Sequence, residues 1–126
     1  MEIKCHVSLG ELVDKMTILK IKTEKISDPQ RSKLAKEEFQ VLEKTLKDLK
    51  LDGISSHFDG LKSVNESLWE IEDDIRECEA NQDFGAKFIA LARSVYKTND
   101  ERFKLKNSIN IKYNSQIKEV KSYEDY

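Results

Sequence analysis

Leu61-Lys62-Ser63-Val64-Asn65-Glu66-Ser67-Leu68-Trp69-Glu70-Ile71-Glu72-Asp73-Asp74-Ile75-Arg76-Glu77-Cys78 is the stretch that decides the fold class. Leu61, Val64, Leu68, Ile71, Ile75 and Cys78 recur at alternating steps of three and four residues. That spacing is the seam of helices packed side by side. Around it sit Glu66, Glu70, Glu72, Asp73, Asp74, Glu77 and Glu79. The segment is a helix with a narrow apolar stripe and an acidic skin. Residues 86–121 are its opposite in charge, with nine Lys or Arg against three Asp or Glu. One acidic and one basic helix in sequence predict neutralisation within the fold or between subunits.

Working outward, the pattern predicts an all-α antiparallel bundle of about four helices with a short N-terminal β-strand. Residues 2–7 alternate polar and apolar, the period of a strand. A lone strand needs a partner for its edge, in the C-terminal tail near Ile117 and Val120 or in another subunit. Ser8-Leu9-Gly10-Glu11 is a capping box that opens helix one. Leu9, Leu12, Val13, Met16, Leu19 and Ile26 give its buried stripe, and Ile18 and Ile21 widen it. Asp28-Pro29 suits the cap and first position of helix two, expected over about 30–50 with Ala35, Phe39, Leu42, Leu46 and Leu49 inward. Helix three is expected over about 58–80. Helix four begins near Asp83 or Phe84 and runs at least to Tyr113, long enough for part of it to overhang. The expected organisation is one helical domain over 1–126, with an arm at 1–8, the bundle at 9–113 and a tail at 114–126.

The bulk properties narrow the function classes. Charged residues make up 37% of the chain, which with one Pro and four Gly favours long solvated helices. Net charge is −2, so global charge gives no reason to expect nucleic acid or an anionic membrane. No apolar run approaches the ~20 residues that span a bilayer. The N-terminus lacks a signal-peptide layout, and a cytoplasmic location is the expectation. Cys5 and Cys78 are too few for a disulfide framework or a zinc site. No nucleophile–base pair and no glycine-rich phosphate loop is present.

Two constellations could carry chemistry. Glu11-x-x-Asp14 and Glu70-x-x-Asp73 each put two carboxylates one turn apart, and facing pairs joined by Asp100 could hold Mg²⁺. At that coarse level the pattern resembles the all-α nucleotide pyrophosphohydrolases of the MazG type. With Arg102 or Lys106 on phosphate, that resemblance implies a metal-dependent hydrolase. The seam register points the other way, because it sets Asp73 opposite the stripe and Glu70 off it, on a solvated face. The second constellation is a polar break in helix four. Continuing the stripe from Val95 predicts apolar residues near 98 and 102, where the chain has Thr98, Asn99, Asp100 and Arg102. Buried polar groups there need partners. Asn65, Glu72 and Asp73 on helix three, or Asp14 and Lys15 on helix one, offer them. Trp69, the only tryptophan, flanks the same region and fits either a helix–helix gap or a stacking surface.

Four stretches carry a family resemblance: Val7-Ser8-Leu9-Gly10-Glu11-Leu12-Val13-Asp14-Lys15, Asn65-Glu66-Ser67-Leu68-Trp69-Glu70-Ile71-Glu72-Asp73-Asp74-Ile75-Arg76, Asp83-Phe84 with Leu91 to Arg102, and Lys121-Ser122-Tyr123. Together they resemble a domain-of-unknown-function family of small bacterial and phage proteins, over nearly the whole chain. The resemblance implies a recurring module and transfers no activity. The reading that follows is a non-catalytic, oligomeric helical interaction module. It has no cofactor, pairs with its own copies or another protein, and carries its candidate site at Asn99, Asp100, Arg102, Asn65, Trp69 and Glu72. The alternative is an Mg²⁺-dependent hydrolase of nucleotides or other phosphorylated small molecules, with Glu11, Asp14, Glu70 and Asp73 as ligands.

Overall fold

The computed structural model describes residues 1–126 and contains four helices: α1 (Leu9–Lys25), α2 (Pro29–Asp48), α3 (Ile54–Ala80) and α4 (Ala86–Lys112). Each start has a local cause. The Ser8 side chain accepts the Glu11 N–H, and the Asp28 side chain accepts the Gln30 N–H ahead of Pro29. Gly53 opens α3 with φ at 77°, in the left-handed region that favours glycine. That turn brings the start of α3 forward from the expected residue 58 to Ile54. The ends of α3 and α4 share one device. Gln82 and Asn114 each take φ of 52°. Asp83 N–H then returns to the Cys78 carbonyl and Ser115 N–H to the Asn110 carbonyl, both at 2.8 Å. This six-to-one closure satisfies carbonyls that a helix end would otherwise leave free.

Consecutive helices run antiparallel, and α1 is the hub. It packs against α2, α3 and α4, whereas the backbone of α2 approaches α1 alone. Phe39 of α2 still reaches Phe58 of α3 edge-on, with ring centres 6.4 Å apart. Val13, Met16, Leu46, Leu61 and Ile109 form the core, where the start of α1, the end of α2, the start of α3 and the end of α4 meet. Only 16 of 126 residues are buried, so the six polar ones among them (Ser8, Asp14, Thr17, Asn65, Lys106 and Asn110) weigh heavily.

The heptad seam of α3 does face inward, but unevenly. Leu61 and Cys78 are buried, while Val64, Leu68, Ile71 and Ile75 are half-buried. Helix length explains this. α3 and α4 have 27 residues each and α1 has 17, a difference of about 15 Å at the standard rise. The distal part of the α3–α4 hairpin therefore extends past α1 as a two-helix finger.

The N-terminal strand does not form. Residues 1–7 have no regular secondary structure, and Ile3 and Val7 are exposed. The tail that could have offered an edge is engaged elsewhere: it docks onto α4 through Glu119 and Lys121. No helix is long and apolar enough to cross a membrane.

Gly10 allows a close approach of α1 to α4. A Cβ at this position would stand 2.5 Å from the Lys106 carbonyl oxygen, a backbone atom that cannot swing away. Gly10→Ala is therefore expected to lower stability by about 1–3 kcal/mol, the usual cost of overpacking. Gly60→Ala should not destabilise, since its Cβ would meet nothing within 4 Å and alanine is the better helix former. Urea unfolding of both variants is the check.

Candidate functional site

Three residues of α1 meet three of α4 in antiparallel order. Asn110 Oδ1 accepts the Gly10 N–H at 2.7 Å. Lys106 Nζ is 2.9 Å from Glu11 Oε2. Arg102 donates to both carboxylate oxygens of Asp14, from Nε to Oδ1 at 2.9 Å and from Nη2 to Oδ2 at 2.6 Å. The rungs use the free N-terminus of α1, whose first N–H groups lack intrahelical partners. Leu9 N–H finds Ser115 Oγ, Gly10 N–H finds Asn110, and Glu11 N–H finds Ser8 Oγ.

Asp14 is the centre of this ladder. Its residue is 1% exposed, and a carboxylate so enclosed is tolerable only when paired and hydrogen-bonded. Besides Arg102, the Asn65 amide donates to Asp14 Oδ1 and to Thr17 Oγ1, both at 2.9 Å. Thr17 in turn donates to the Asp14 carbonyl at 2.7 Å. The cluster joins α1, α3 and α4. The hydrogen bond to Asp14 holds the Arg102 guanidinium above its usual range, against the desolvation imposed by burial. For Lys106, burial is the largest single influence and acts downward. The bonds to Glu11 and Glu119 together outweigh it and leave the ammonium above its ordinary value.

Two clefts open on either side of Arg102 and Asn99. One, of about 510 Å³, lies among α1, α3 and α4, with Ile18, Ile21, Leu68 and Trp69 among its walls. The other, of about 600 Å³, lies between α4 and the C-terminal tail. Arg102 spends Nε and one Nη2 hydrogen on Asp14, so three of its five N–H groups remain for a carbonyl or carboxylate in a cleft. Asn99, half-buried, lines both.

The polar break in α4 is thus brought together with Asn65 and Asp14. Glu72 is exposed and pairs with Arg76 at 3.5 Å, away from Arg102, though it reaches the rim of the Trp69 cleft. Asp100 turns to the tail and bonds Lys121, which holds its carboxyl below the usual range. Lys15 pairs with Glu38 of α2 at 2.9 Å.

The four-carboxylate metal arrangement is not formed. Asp14 is committed to Arg102, Glu11 to Lys106, Glu70 is exposed on α3, and Asp73 is exposed at the rim of the Trp69 cleft. No three His, Cys, Asp or Glu side chains gather as a metal-binding group. The same Glu11-x-x-Asp14 spacing that suits a cation serves here to meet Lys106 and Arg102 one turn apart. Thr17, Asn110, Ser115 and Glu119 belong to the network without having been singled out in the sequence. Of these, only Asn110 continues a pattern: Asn99, Arg102, Lys106 and Asn110 recur at three- and four-residue steps, a polar stripe on one face of α4.

The profile of a family described as Family of unknown function (DUF6165) matches residues 3–126, and the chain belongs to that family. No curated protein and no solved structure matches the chain.

If Asp14 and Arg102 act as one unit, their substitutions must couple. Arg102→Met is expected to cost about 3–5 kcal/mol by leaving a buried carboxylate unpaired. Asp14→Asn combined with Arg102→Met should cost less than the two single losses added, by at least about 1 kcal/mol. Glu72→Ala should stay within about 0.5 kcal/mol, as exposed changes do. Additive losses in urea unfolding would contradict the pairing.

Proposed function

We propose that this member of the family is a non-catalytic assembly module that pairs with a second copy of itself through the distal part of the α3–α4 hairpin. One observation carries the reading. In the distal part of the hairpin the acidic skin of α3 and the basic surface of α4 do not neutralise each other, since no ion pair joins the two helices. Glu70, Asp73, Asp74, Glu77 and Glu79 stand unpaired on α3, as do Lys87, Arg93 and Lys97 on α4. A hairpin with one acidic and one basic arm is complementary to itself when turned over. A two-fold axis then sets each acidic helix against its partner's basic one.

Apolar contact supplies the rest. Beyond the end of α1, Ile71, Ile75, Phe88 and Leu91 are only half-buried, and Phe84 and Ile89 are 52% and 56% exposed. The two-helix finger encloses Cys78 but leaves the rest of its seam half-covered. A second finger completes a four-helix layer with the packing of a bundle. Electrostatics in this scheme selects partner and register, and buried apolar area supplies the stability.

Sedimentation with charge reversal tests the proposal. The wild type is expected to dimerise, more weakly at high salt. Asp73→Lys/Glu77→Lys and, separately, Lys87→Glu/Arg93→Glu should each be monomeric through self-repulsion. An equimolar mixture of the two variants should dimerise again. A monomeric wild type at high protein concentration, or a mixture that stays monomeric, would sink the idea.

A further inference from the structure

The cavity between α4 and the C-terminal tail has a chemistry distinct from that of the hairpin finger. Four aromatic rings stand on its wall: Tyr96 and Phe103 from α4, Tyr123 and Tyr126 from the tail. Tyr96 and Tyr126 meet edge-on, with ring centres 5.3 Å apart. Three cations and three carboxylates also line it, namely Arg102, Lys106 and Lys121 with Asp100, Glu119 and Glu124. Asp14 and Glu11 stand behind Arg102 and Lys106 and pair with them. Five carboxylates therefore answer three cations, and an anion entering here would meet a net negative surround. Aromatic faces and surplus carboxylate favour an organic cation.

The chain already shows how such a cation sits. Lys121 Nζ lies 5.4 Å from the centre of the Phe103 ring and 5.7 Å from that of Tyr123, and it bonds Asp100. This is an ammonium held between two rings on a carboxylate. Its carrier is a tail segment without regular secondary structure, and a ligand ammonium would have to displace it. Glu124 lines the same cavity and forms no ion pair with any side chain. Glu119 bonds Lys106 through Oε2, while its Oε1 is enclosed without a hydrogen-bond donor.

We infer that this cavity binds a linear diamine or polyamine. One ammonium takes the place held by Lys121 between Phe103 and Tyr123 on Asp100. A second reaches Glu124, so a ligand with two charges makes one ion pair more than Lys121 alone. At about 600 Å³ the space admits a flexible chain of that kind. The inference stands apart from the proposed dimer, because the cavity and the finger share no surface that either requires.

Isothermal titration of the full-length protein with spermidine is the test, with putrescine, n-butylamine and MgCl₂ as comparisons. One spermidine should bind per chain, more tightly than n-butylamine by at least tenfold. Asp100→Asn, Phe103→Leu and Glu124→Gln should each weaken it at least fivefold, and Glu37→Gln on the outer face of α2 should not. Because Glu124 lies in the tail, its substitution leaves the helical core intact, and a melting curve checks the others. The acidic skin of α3 supplies the competing outcome. Absent saturation at millimolar spermidine would overturn the inference. So would displacement by MgCl₂ at equal charge, or binding that falls in Asp73→Asn/Glu77→Gln while surviving the three cavity substitutions.

Discussion

A carboxylate removed from water must find a cation and enough donors, or it takes on a proton. Asp14 meets that requirement with Arg102 and Asn65, one on each arm of the α3–α4 hairpin. The geometry of the whole chain is arranged around it. Arg102 must approach α1 closely, so Gly10 and the Lys106 backbone lie almost in contact one turn further on. The close approach in turn brings Asn110 and Ser115 onto the free N–H groups that begin α1. Two needs, a buried charge wanting partners and a helix start wanting acceptors, are met by one face of α4. A thin apolar core of nine buried residues leaves much of the specificity of packing to this polar face. It allows α1 one height and one rotation against the hairpin.

Fixing α1 there has a consequence for the rest of the surface. α1 is too short to follow the hairpin to its tip, and α2 meets the hairpin only through side chains near the base, its backbone approaching α1 alone. The distal seam is left with a half-covered apolar stripe between an acidic and a basic helix. The tail is fixed at the other end. It leaves α4 through the turn at Asn114, is held at Ser115, and folds back along α4 to place Lys121 on Asp100. One end of the bundle is thus closed by packing and polar contacts, and the other keeps its apolar seam half-covered.

The helices were legible because their signals are local. Ser8, Asp28 and Pro29 act within a turn of themselves, and the seam from Leu61 to Cys78 needs no knowledge of its neighbours. The polar break at Asn99–Arg102 was legible as a departure from a period. Its partner was not, since Asp14 lies 88 residues away and its spacing with Glu11 suits a metal as well as it suits two cations. The strand at 2–7 failed for the same reason. Alternation records a preference for extended backbone, but a strand also needs an edge, and the tail's charged residues find better partners on α4. The closure of α1 by Asn110 and Ser115 depends on residues that look like ordinary polar helix and turn positions until the tertiary register is known.

Residue-resolved amide hydrogen exchange tests most directly whether the Asp14 cluster makes α1 and the proximal hairpin one unit. In dilute, high-salt buffer, the amides of Val13–Leu19, Leu61–Asn65 and Arg102–Asn110 should exchange with one common opening free energy, that of global unfolding. Those of Asp73–Ala80 and Ala86–Leu91 should open at distinctly lower cost. If α1 instead exchanges as a separate, weaker unit while the whole hairpin stays uniformly protected, the buried carboxylate is not what holds the fold together.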